Sequence, residues 1–392
     1  ASKPQAERFI TKFARIYTPF VVALAAATAI IPSLITGNWS HWIYTALTFL
    51  VISCPCALVL SVPLAFFSGI GAGSKKGILF KGGIALENLK AVKTVVMDKT
   101  GTITKGNFMV QTILPAGTAS EQEILQIAAA CETASTHPIG VSIVSAAKDR
   151  NLVIEKPAEI EEISGNGIRA MLDGKTALVG KAELLDGVVV TTQTSGTTAV
   201  YVAYDGQYLG CIGLSDTLKP DTKEAISALR KLGLHNLTML SGDRQATANS
   251  IAGEIGLDNA WGQLLPEEKV SHLEELKKLG RVVYAGDGIN DAPVLAAADV
   301  GVAMGGLGSD AAMEAADVVI MTDELSRLPL AIRIARKTMS IAKQNIVFSI
   351  AVKVLILALS LVTDMGLWLA VFADVGVCML AILNSLRALR TK

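Results

Sequence analysis

The chain has 392 residues, of which 51% are hydrophobic, and its 35 basic residues balance 35 acidic residues. This length allows two or more domains, and the positive mean hydropathy is high for a soluble protein and favours a membrane protein. The charge balance excludes a global field that would attract nucleic acid or an acidic partner.

The N-terminal segment, residues 1–15, opens with "ASKPQAERF", which contains neither an initiator methionine nor the apolar core of a signal peptide. We expect it to be a linker within a longer protein.

The cysteines are odd in number and lack the dense spacing of a disulfide framework, which favours reduced thiols in a protein that faces the cytosol. They are Cys54, Cys56, Cys131, Cys211 and Cys378.

Four apolar segments are each long enough to cross a hydrocarbon core, which needs ~20 helical residues. They lie at about 16–36, 42–72, 341–362 and 366–388. They form two pairs whose connectors, "GNWSH" and "TDMG", hold no Lys or Arg, whereas basic residues flank the outer ends of both pairs. By the positive-inside rule, residues 73–340 lie in the cytoplasm. The alternative is a soluble protein with four buried core helices.

Cys54, Pro55 and Cys56 interrupt the second apolar segment. A proline in a helix interior removes a hydrogen bond and clashes with the preceding turn, at a cost of ~3 kcal/mol. Unwinding there lets both sulfurs face one cavity, instead of lying about 200° apart around a regular helix. Two convergent sulfurs predict a site for a soft metal ion. Cys378 has ordinary apolar neighbours, and we expect it to be structural.

Between residues 73 and 340, short β-branched runs that end in Asp or Gly alternate with amphipathic helical patterns. The runs are "TVVMDKTGT", "LTMLSGD", "RVVYAGDGIND", "VGVAMG" and "DVVIM". This alternation predicts a parallel, doubly wound sheet, whose ligands bind at the carboxyl ends of the strands. Residues 107–214 differ, because helices are followed by the hairpin patterns "LDGK" and "AYDGQY". They predict an inserted α+β domain, which splits the sheet domain into 73–106 and 215–340.

Asp98 in "MDKTGT" ends a predicted buried strand, where a carboxylate can attack a phosphoryl group and form an acyl phosphate. Ser241 in "SGD" can donate its hydroxyl and its N–H to phosphate oxygens, and Lys269 in "PEEK" can neutralise the charge that develops on them. Asp287 and Asp291 in "GDGINDAP" have a spacing that lets one carboxylate bind Mg²⁺ while the other orients the loop or binds through water.

Each of these residues alone has an ordinary structural explanation, such as a helix cap for Asp98 or a solvated helix residue for Lys269. The ordered set "DKTGT", "SGD" and "GDGINDAP" is specific, and it resembles the phosphorylation domain of the P-type ATPases, a branch of the haloacid dehalogenase-like fold. The resemblance implies that Asp98 is transiently phosphorylated by ATP in a reaction that requires Mg²⁺. The implied catalytic residues are Asp98, Lys99, Thr100, Ser241, Asp243, Lys269 and Asn290, and the implied Mg²⁺ ligands are Asp98, Thr100, Asp287 and Asp291.

Thr100 distinguishes the chain from phosphatases of this fold, which typically carry a second Asp two residues after the nucleophile. Without that general base, hydrolysis of the acyl phosphate should be slow, which suits coupling to a conformational change. The family more often has Thr where this chain has Ser241, but both supply a hydroxyl.

Two further patterns are each weak evidence for a nucleotide site. They are "CETASTHPIG", which contains Glu132 and His137, and "SGNGI", which contains Gly165 and Gly167. Together they resemble the elements that line the ATP pocket in the heavy-metal-transporting branch of the P-type ATPases. The resemblance implies that these four residues bind ATP, and it leaves open which of them contact adenine and which contact phosphate.

Lys353 and Asp374 lie within the last two apolar segments, where an unpaired charge costs at least ~2.5 kcal/mol. A structural salt bridge between helices is one explanation. The other is a metal site, because two thiolates, one carboxylate, one lysine and one divalent ion sum to neutrality. Thiolate and carboxylate ligands suit Zn²⁺ or Cd²⁺. The pattern resembles the zinc, cadmium and lead exporters, and the Tyr-Asn and Met-Ser-Ser elements typical of copper pumps are absent from these spans.

The resemblance therefore implies an ATP-driven exporter of Zn²⁺ or Cd²⁺, with Pb²⁺ as a further candidate, in the cell (inner) membrane. We expect a multi-pass protein with two transmembrane helices in 16–72, two in 341–388, and cytoplasmic catalytic domains. The family also has an actuator domain with a Thr-Gly-Glu loop and earlier helices, and no "TGE" occurs in this sequence. We expect residues 1–15 to be the linker that follows that domain. The alternatives are a Cu⁺ exporter, a membrane-anchored phosphatase and a regulatory fragment.

Overall fold

The computed structural model describes residues 5–53, 56–135, 137–163, 165–185, 198–287, 291–305, 310–362 and 367–390. The helices in this part of the chain are α1 (Gln5–Thr36), α2 (Trp39–Ile52), α3 (Cys56–Ser74), α4 (Gly83–Lys90), α5 (Glu121–Cys131), α6 (Pro138–Asp149), α7 (Thr222–Lys231), α8 (Gln245–Ile255), α9 (Pro266–Lys277), α10 (Ala292–Ala297), α11 (Asp310–Ala315), α12 (Arg327–Val362) and α13 (Leu367–Leu386).

The strands in the same residues are β1 (Ile78–Phe80), β2 (Thr94–Asp98), β3 (Thr104–Pro115), β4 (Glu159–Ile163), β5 (Gly167–Leu172), β6 (Lys175–Gly180), β7 (Thr198–Tyr204), β8 (Gln207–Leu218), β9 (Asn236–Leu240), β10 (Asn259–Trp261), β11 (Val282–Gly286), β12 (Val300–Met304) and β13 (Val318–Ile320). The chain divides into two units. The first comprises Ala1–Val96, Ser227–His235 and Val270–Lys392, and the second comprises Met97–Ile226 and Asn236–Lys269.

The first unit contains the long apolar helices. Three stretches of described helix are long and apolar enough to cross a membrane, and they are Tyr17–Thr36, Ala57–Ser74 and Arg327–Ile356. The predicted segment 42–72 contains two helices, because α2 ends at Ile52 and α3 begins at Cys56. Cys54 and Pro55 lie outside the described residues. Helix α3 packs against both α12 and α13.

A sheet with parallel strands completes the first unit. Strand β12 lies between β11 and β13 and is parallel to both, as the alternation of strands and helices predicts. Every residue of β11 and β12 is buried, as expected for strands with both faces covered. The short strand β1 adds an antiparallel edge beside β13, which the sequence patterns did not predict. Strand β2 begins next to β11.

The second unit contains the end of β2, the parallel pair β9 and β10, and a larger antiparallel sheet. The strand order of that sheet is β3-β8-β7-β6-β5-β4. Helices α5 and α6 contribute apolar side chains to its core, together with the inner faces of the strands. Members of this core include Ile124, Leu125, Ile143, Val179 and Ile212.

Two tight hairpins in this sheet confirm the hairpin patterns of the sequence. Strands β5 and β6 are joined through Asp173 and Gly174, and β7 and β8 through Asp205 and Gly206. All four residues have positive φ, between 51° and 73°. Asp-Gly pairs tolerate these angles, and the resulting turn follows the natural twist of antiparallel strands. Local turn chemistry therefore sets the register of both pairs.

Helix α5 begins with a capping box. The Ser120 hydroxyl accepts a hydrogen bond from the Glu123 N–H at 3.1 Å, and the Glu123 carboxylate accepts one from the Ser120 N–H at 3.4 Å. These contacts satisfy two donors that a helix N-terminus otherwise leaves to water. The box fixes the start of the helix that ends beside Glu132.

We expect Ser120→Ala to destabilise the first turn of α5 by about 1 kcal/mol, because it removes the side-chain acceptor. Hydrogen exchange of the full chain should show amides at the start of α5 opening roughly five times more readily. Thr118→Ala, at an exposed position outside the helix, is the control and should leave these rates unchanged. Equal exchange in both variants would contradict a stabilising role for the box.

Candidate functional site

Asp98 ends β2 and is only 6% exposed. The Thr100 N–H donates to Asp98 Oδ2 at 3.0 Å, and Lys269 Nζ donates to Asp98 Oδ1 at 2.6 Å. Lys269 is itself buried. Both oxygens of the carboxylate are therefore oriented, and a buried cation lies directly against it.

Lys99, the residue after Asp98, contacts the turn that follows β9 in the second unit. Lys99 Nζ forms an ion pair with Asp243, and the Asp243 N–H donates to Ser241 Oγ at 3.1 Å. Ser241 is buried at the end of β9, and its N–H donates to the Trp261 carbonyl at 2.8 Å. The turn after β9 is thus linked to the residue that follows Asp98.

Asp287 and Asp291 lie in the first unit, after β11. Asp291 is buried, and its Oδ1 accepts a hydrogen bond from the Tyr284 hydroxyl at 2.8 Å. Asp287 is half-buried at the end of the strand. Asn290 lies outside the described residues, so its expected role stays a prediction. The two carboxylates offer oxygen donors of the kind that Mg²⁺ prefers.

A cavity of about 380 Å³ in the second unit is lined by Glu132, His137, Gly165 and Gly167. The structure thus places all four predicted nucleotide-binding residues around one pocket. Lining residues that the sequence patterns did not single out are Ser135, Glu162, Asn166, Lys181 and Thr198. Ser135 and Asn166 lie within the quoted patterns "CETASTHPIG" and "SGNGI", whereas Glu162, Lys181 and Thr198 belong to no recognisable motif and reach the pocket only through the folding of the sheet.

At Gly167, which lines this pocket, β5 and β6 lie too close together for a residue with a Cβ atom. Its φ is 144°, and a Cβ there would lie 2.3 Å from the Val179 carbonyl oxygen. His137 has a local role at the pocket, because its Nδ1 accepts the Ile139 N–H at 3.2 Å and caps α6. Its ring is therefore oriented by the backbone of the helix that it begins.

Burial raises the pKa of Glu132, while a hydrogen bond from Ser135 and the proximity of His137 lower it in part. Burial, and to a lesser degree the Glu132 charge, raise the pKa of the adjacent Cys131 thiol to about 12. That thiol is therefore neutral near pH 7. Cys131 and Cys211 are buried, and neither forms a disulfide.

The two charged residues singled out in the last two apolar segments meet in the first unit. Lys353 Nζ of α12 lies 2.9 Å from Asp374 Oδ1 of α13, and the two side chains are 12% and 16% exposed. Cys54 lies outside the described residues, and Cys56 begins α3. The thiolate part of the predicted metal site therefore stays a prediction. Cys378, expected to be structural, is free and half-buried.

A polar cluster that the sequence patterns missed links the same helices. Asn345 Nδ2 of α12 donates to Ser385 Oγ of α13 at 2.8 Å and to the Ala381 carbonyl at 3.0 Å. Ser385 Oγ in turn donates to the Ser61 carbonyl of α3 at 2.8 Å. Because Asn345 and Ser385 are fully buried, these bonds fix α3, α12 and α13 against one another.

Residues 92–299, more than half of the chain, match the family model described as haloacid dehalogenase-like hydrolase. The catalytic domain of the CPx-ATPase CopB-B is 31% identical, with a TM-score of 0.57 over 66% of this chain and 96% of that one. A zinc-transporting PIB-type ATPase in the E2.Pi state is 40% identical, with a TM-score of 0.87 over 97% of this chain and 64% of that one. The chain belongs to the P-type ATPases. The predicted fold class is confirmed.

Curated relatives of this P-type ATPase carry names that state transported metals. A zinc-transporting ATPase of Synechocystis sp. is 48% identical over 99% of this chain and 54% of that protein. A cadmium, zinc and cobalt-transporting ATPase of Bacillus subtilis is 46% identical over 100% of this chain and 57% of that protein. The chain spans about half the length of the curated relatives it matches.

We expect this P-type ATPase to show a pH-dependent stability that arises in part at Glu132. Folding raises the pKa of this carboxyl, so the folded protein binds the proton more tightly, and stability falls as the pH rises from the ordinary value of 4.5 through the raised value. Glu132→Gln should flatten this part of the profile. Thermal unfolding of the full chain between pH 4.5 and 8 measures the slope.

The matched control for Glu132→Gln is Glu159→Gln, at an exposed position of β4 in the same sheet. It should keep the wild-type slope. An unchanged slope in Glu132→Gln would show that the carboxyl is not perturbed by its surroundings.

Proposed function

We propose that the full-length protein uses ATP to export Zn²⁺ or Cd²⁺ across a membrane through a phosphorylated intermediate at Asp98. The observation that carries this proposal is the buried Asp98 carboxylate, oriented by the Lys269 ammonium at 2.6 Å and the Thr100 N–H at 3.0 Å. A carboxylate that is buried, aligned and charge-compensated is suited to nucleophilic attack. Thr100 in place of a second Asp favours a lasting acyl phosphate over rapid hydrolysis.

In the proposed step, a carboxylate oxygen of Asp98 attacks the γ-phosphorus of ATP. The bond from that phosphorus to the oxygen bridging the β- and γ-phosphates breaks, and ADP leaves with the electron pair. Lys269 and the hydroxyl of Ser241 stabilise negative charge on the transferred group. Lys99 is kept near the site by its ion pair with Asp243.

For Mg²⁺ we propose Asp98, Thr100, Asp287 and Asp291 as the residues that hold it. The support is chemical, since the side chains of this set offer oxygen donors only and three of them are carboxylates. Bound Mg²⁺ would reduce the negative charge of the phosphates. Asn290 is proposed to orient the same loop.

For ATP we propose the cavity lined by Glu132, His137, Gly165 and Gly167. Its volume of about 380 Å³ and its mixture of apolar strand residues and a few polar groups suit a nucleotide base and ribose. The name of the CopB-B structure, which refers to nucleotide binding by its catalytic domain, supports the same ligand.

For the transported ion we propose Cys54, Cys56 and Asp374 as ligands and Lys353 as the counter-charge. The ion pair at 2.9 Å supports this, because Lys353 lies close enough to Asp374 to neutralise its charge. The names of the relatives add support for Zn²⁺ and Cd²⁺ and add Co²⁺ as a candidate.

We further propose a multi-pass protein of the cell (inner) membrane with cytoplasmic catalytic units. Its partners are the lipid bilayer, ATP, the metal ion, and the actuator domain and earlier helices that relatives of this family carry. Nucleic acid is not among them. The balanced charge of the chain and the basic residues outside the apolar pairs support this arrangement.

Asp98→Asn should abolish acid-stable ³²P incorporation from γ-labelled ATP, because an amide cannot act as the nucleophile. The measurement uses the full-length protein in membrane vesicles with Zn²⁺ present. Asp173→Asn, in the exposed β5–β6 turn, is the matched control and should label like wild type. Labelling of Asp98→Asn, or rapid metal-independent release of phosphate from phosphomonoesters, would contradict the proposal.

The same preparation identifies the metal. Hydrolysis of ATP should rise with Zn²⁺, Cd²⁺, Pb²⁺ or Co²⁺ rather than with Cu⁺, because Asp374 supplies a hard oxygen that Cu⁺ does not favour. Stimulation by Cu⁺ alone would overturn the proposed specificity.

Lys353→Ala should impair ion release or coupling more than metal binding, since Asp374 would lose its counter-charge once the ion leaves. Zn²⁺ uptake into inverted vesicles should fall by roughly tenfold or more, by analogy with the loss of one partner of a buried pair. The matched control is Lys343→Ala, at an exposed position of α12 ten residues earlier. Unchanged transport in Lys353→Ala would exclude a role in the cycle.

A further inference from the structure

Residues at and after the end of β8 hold the turn that follows Asp98. The carbonyl of Gly101 accepts a hydrogen bond from Lys219 Nζ. The carbonyl of Ile103 accepts the Lys219 N–H at 3.0 Å and the Thr222 hydroxyl at 2.9 Å. Two carbonyls of a five-residue turn are therefore bound by one short segment from another part of the chain.

Lys219 is unusual because its side chain is buried, with only 4% of the residue exposed. Burying an ammonium group is costly unless its hydrogen bonds are satisfied. Its partner Gly101 has a left-handed φ of 69°, and the preceding Thr100 N–H donates to Asp98 at 3.0 Å. The Lys219 bond therefore fixes the Gly101–Thr102 peptide, which lies two peptides after the one whose N–H orients the Asp98 carboxylate.

Asp216 supports the same turn from the end of β8. Its Oδ2 accepts a hydrogen bond from the Thr104 hydroxyl, which also lies 2.8 Å from the Lys99 carbonyl. Burial raises the pKa of Asp216, and the hydrogen bond from Thr104 and the charge of Lys99 lower it in part. The first carbonyl of the turn is thus linked to β8 as well.

The pairing of β3 with β8 contains a bulge beside the turn that follows Asp98. Thr104 pairs with Leu218 and Phe108 with Asp216, so residues 105–107 face Thr217 alone. Within the bulge, Gly106 has a φ of 73°, and a Cβ there would lie 3.7 Å from the Gly101 nitrogen. The bulge therefore packs directly against the turn after Asp98.

We propose that Lys219 is a positioning residue for phosphoryl transfer to Asp98, and that Asp216 supports it through Thr104. This inference rests on the proposed function. Lys219 acts through the Gly101 peptide and does not need to touch the substrate. A nucleophile displaced by about 1 Å can lose roughly 100-fold in rate, so a bond that fixes its turn is expected to matter for the chemical step.

The test compares Lys219→Met, Lys219→Arg and Lys223→Met in the full-length protein in vesicles with Zn²⁺. Lys223 is the matched control, because it lies four residues later, is exposed and pairs with Glu254 at the surface. The measurements are the initial rate of acid-stable ³²P labelling from ATP and the ATP concentration that gives half the maximal rate. Asp216→Asn is measured in parallel.

We expect Lys219→Met to lower the labelling rate at least tenfold, because the turn loses its anchor. The half-saturating ATP concentration should change less than threefold, since the nucleotide cavity is lined by other residues. Lys219→Arg should restore much of the rate, Lys223→Met should match wild type, and Asp216→Asn should lie between wild type and Lys219→Met.

Two results would overturn the inference while leaving the proposed function intact. One is a wild-type labelling rate in Lys219→Met. The other is a parallel loss of rate and ATP affinity in Lys219→Met that Lys219→Arg does not restore, which indicates a purely structural residue. Absence of labelling in the wild-type protein would instead refute the proposed function, and the positioning role with it.

Discussion

The ion pair between Asp98 and Lys269 is the interaction around which the candidate site of the second unit is arranged. A carboxylate that is 6% exposed would be strongly destabilised without a compensating charge. Lys269 supplies that charge at 2.6 Å, and the Thr100 N–H supplies a hydrogen bond. The surrounding turns are arranged so that these groups stay in contact. The same arrangement keeps the carboxylate aligned for the proposed chemistry, so stability and function depend on the same contact.

The first unit also contains nearly buried charged side chains, and these lie on apolar helices. Lys353 and Asp374 are nearly buried on neighbouring helices, where either charge alone would be costly. The hydrogen bonds of Asn345 and Ser385 hold those helices in register. Polar side chains in this unit therefore have two roles. Lys353 and Asp374 carry opposite charges, and the uncharged cluster of Asn345 and Ser385 keeps their helices aligned so that the two charges lie in contact.

The fold class was predictable because its signals are local. Asp-Gly pairs at 173–174 and 205–206 predict hairpins, and buried β-branched runs predict parallel strands. Both patterns can be read from a few neighbouring residues without knowledge of tertiary contacts. The proposed nucleophile, Asp98, and the lysine paired with it were predictable from ordered motifs. Strand β1 was not, because three residues carry no periodicity. Lys219 and Asn345 were missed for a related reason: each is one polar residue whose meaning comes only from distant partners.

Strand β8 has one further, mechanical consequence. It contains 12 residues, which corresponds to a length of about 40 Å, and it pairs with β3 and β7. One end lies next to the bulge and the turn Lys99–Ile103, and the other end is the hairpin that joins β7 to β8. Because hydrogen bonds to β3 and β7 hold it on both sides, β8 connects the turn after Asp98 to that hairpin through one continuous element.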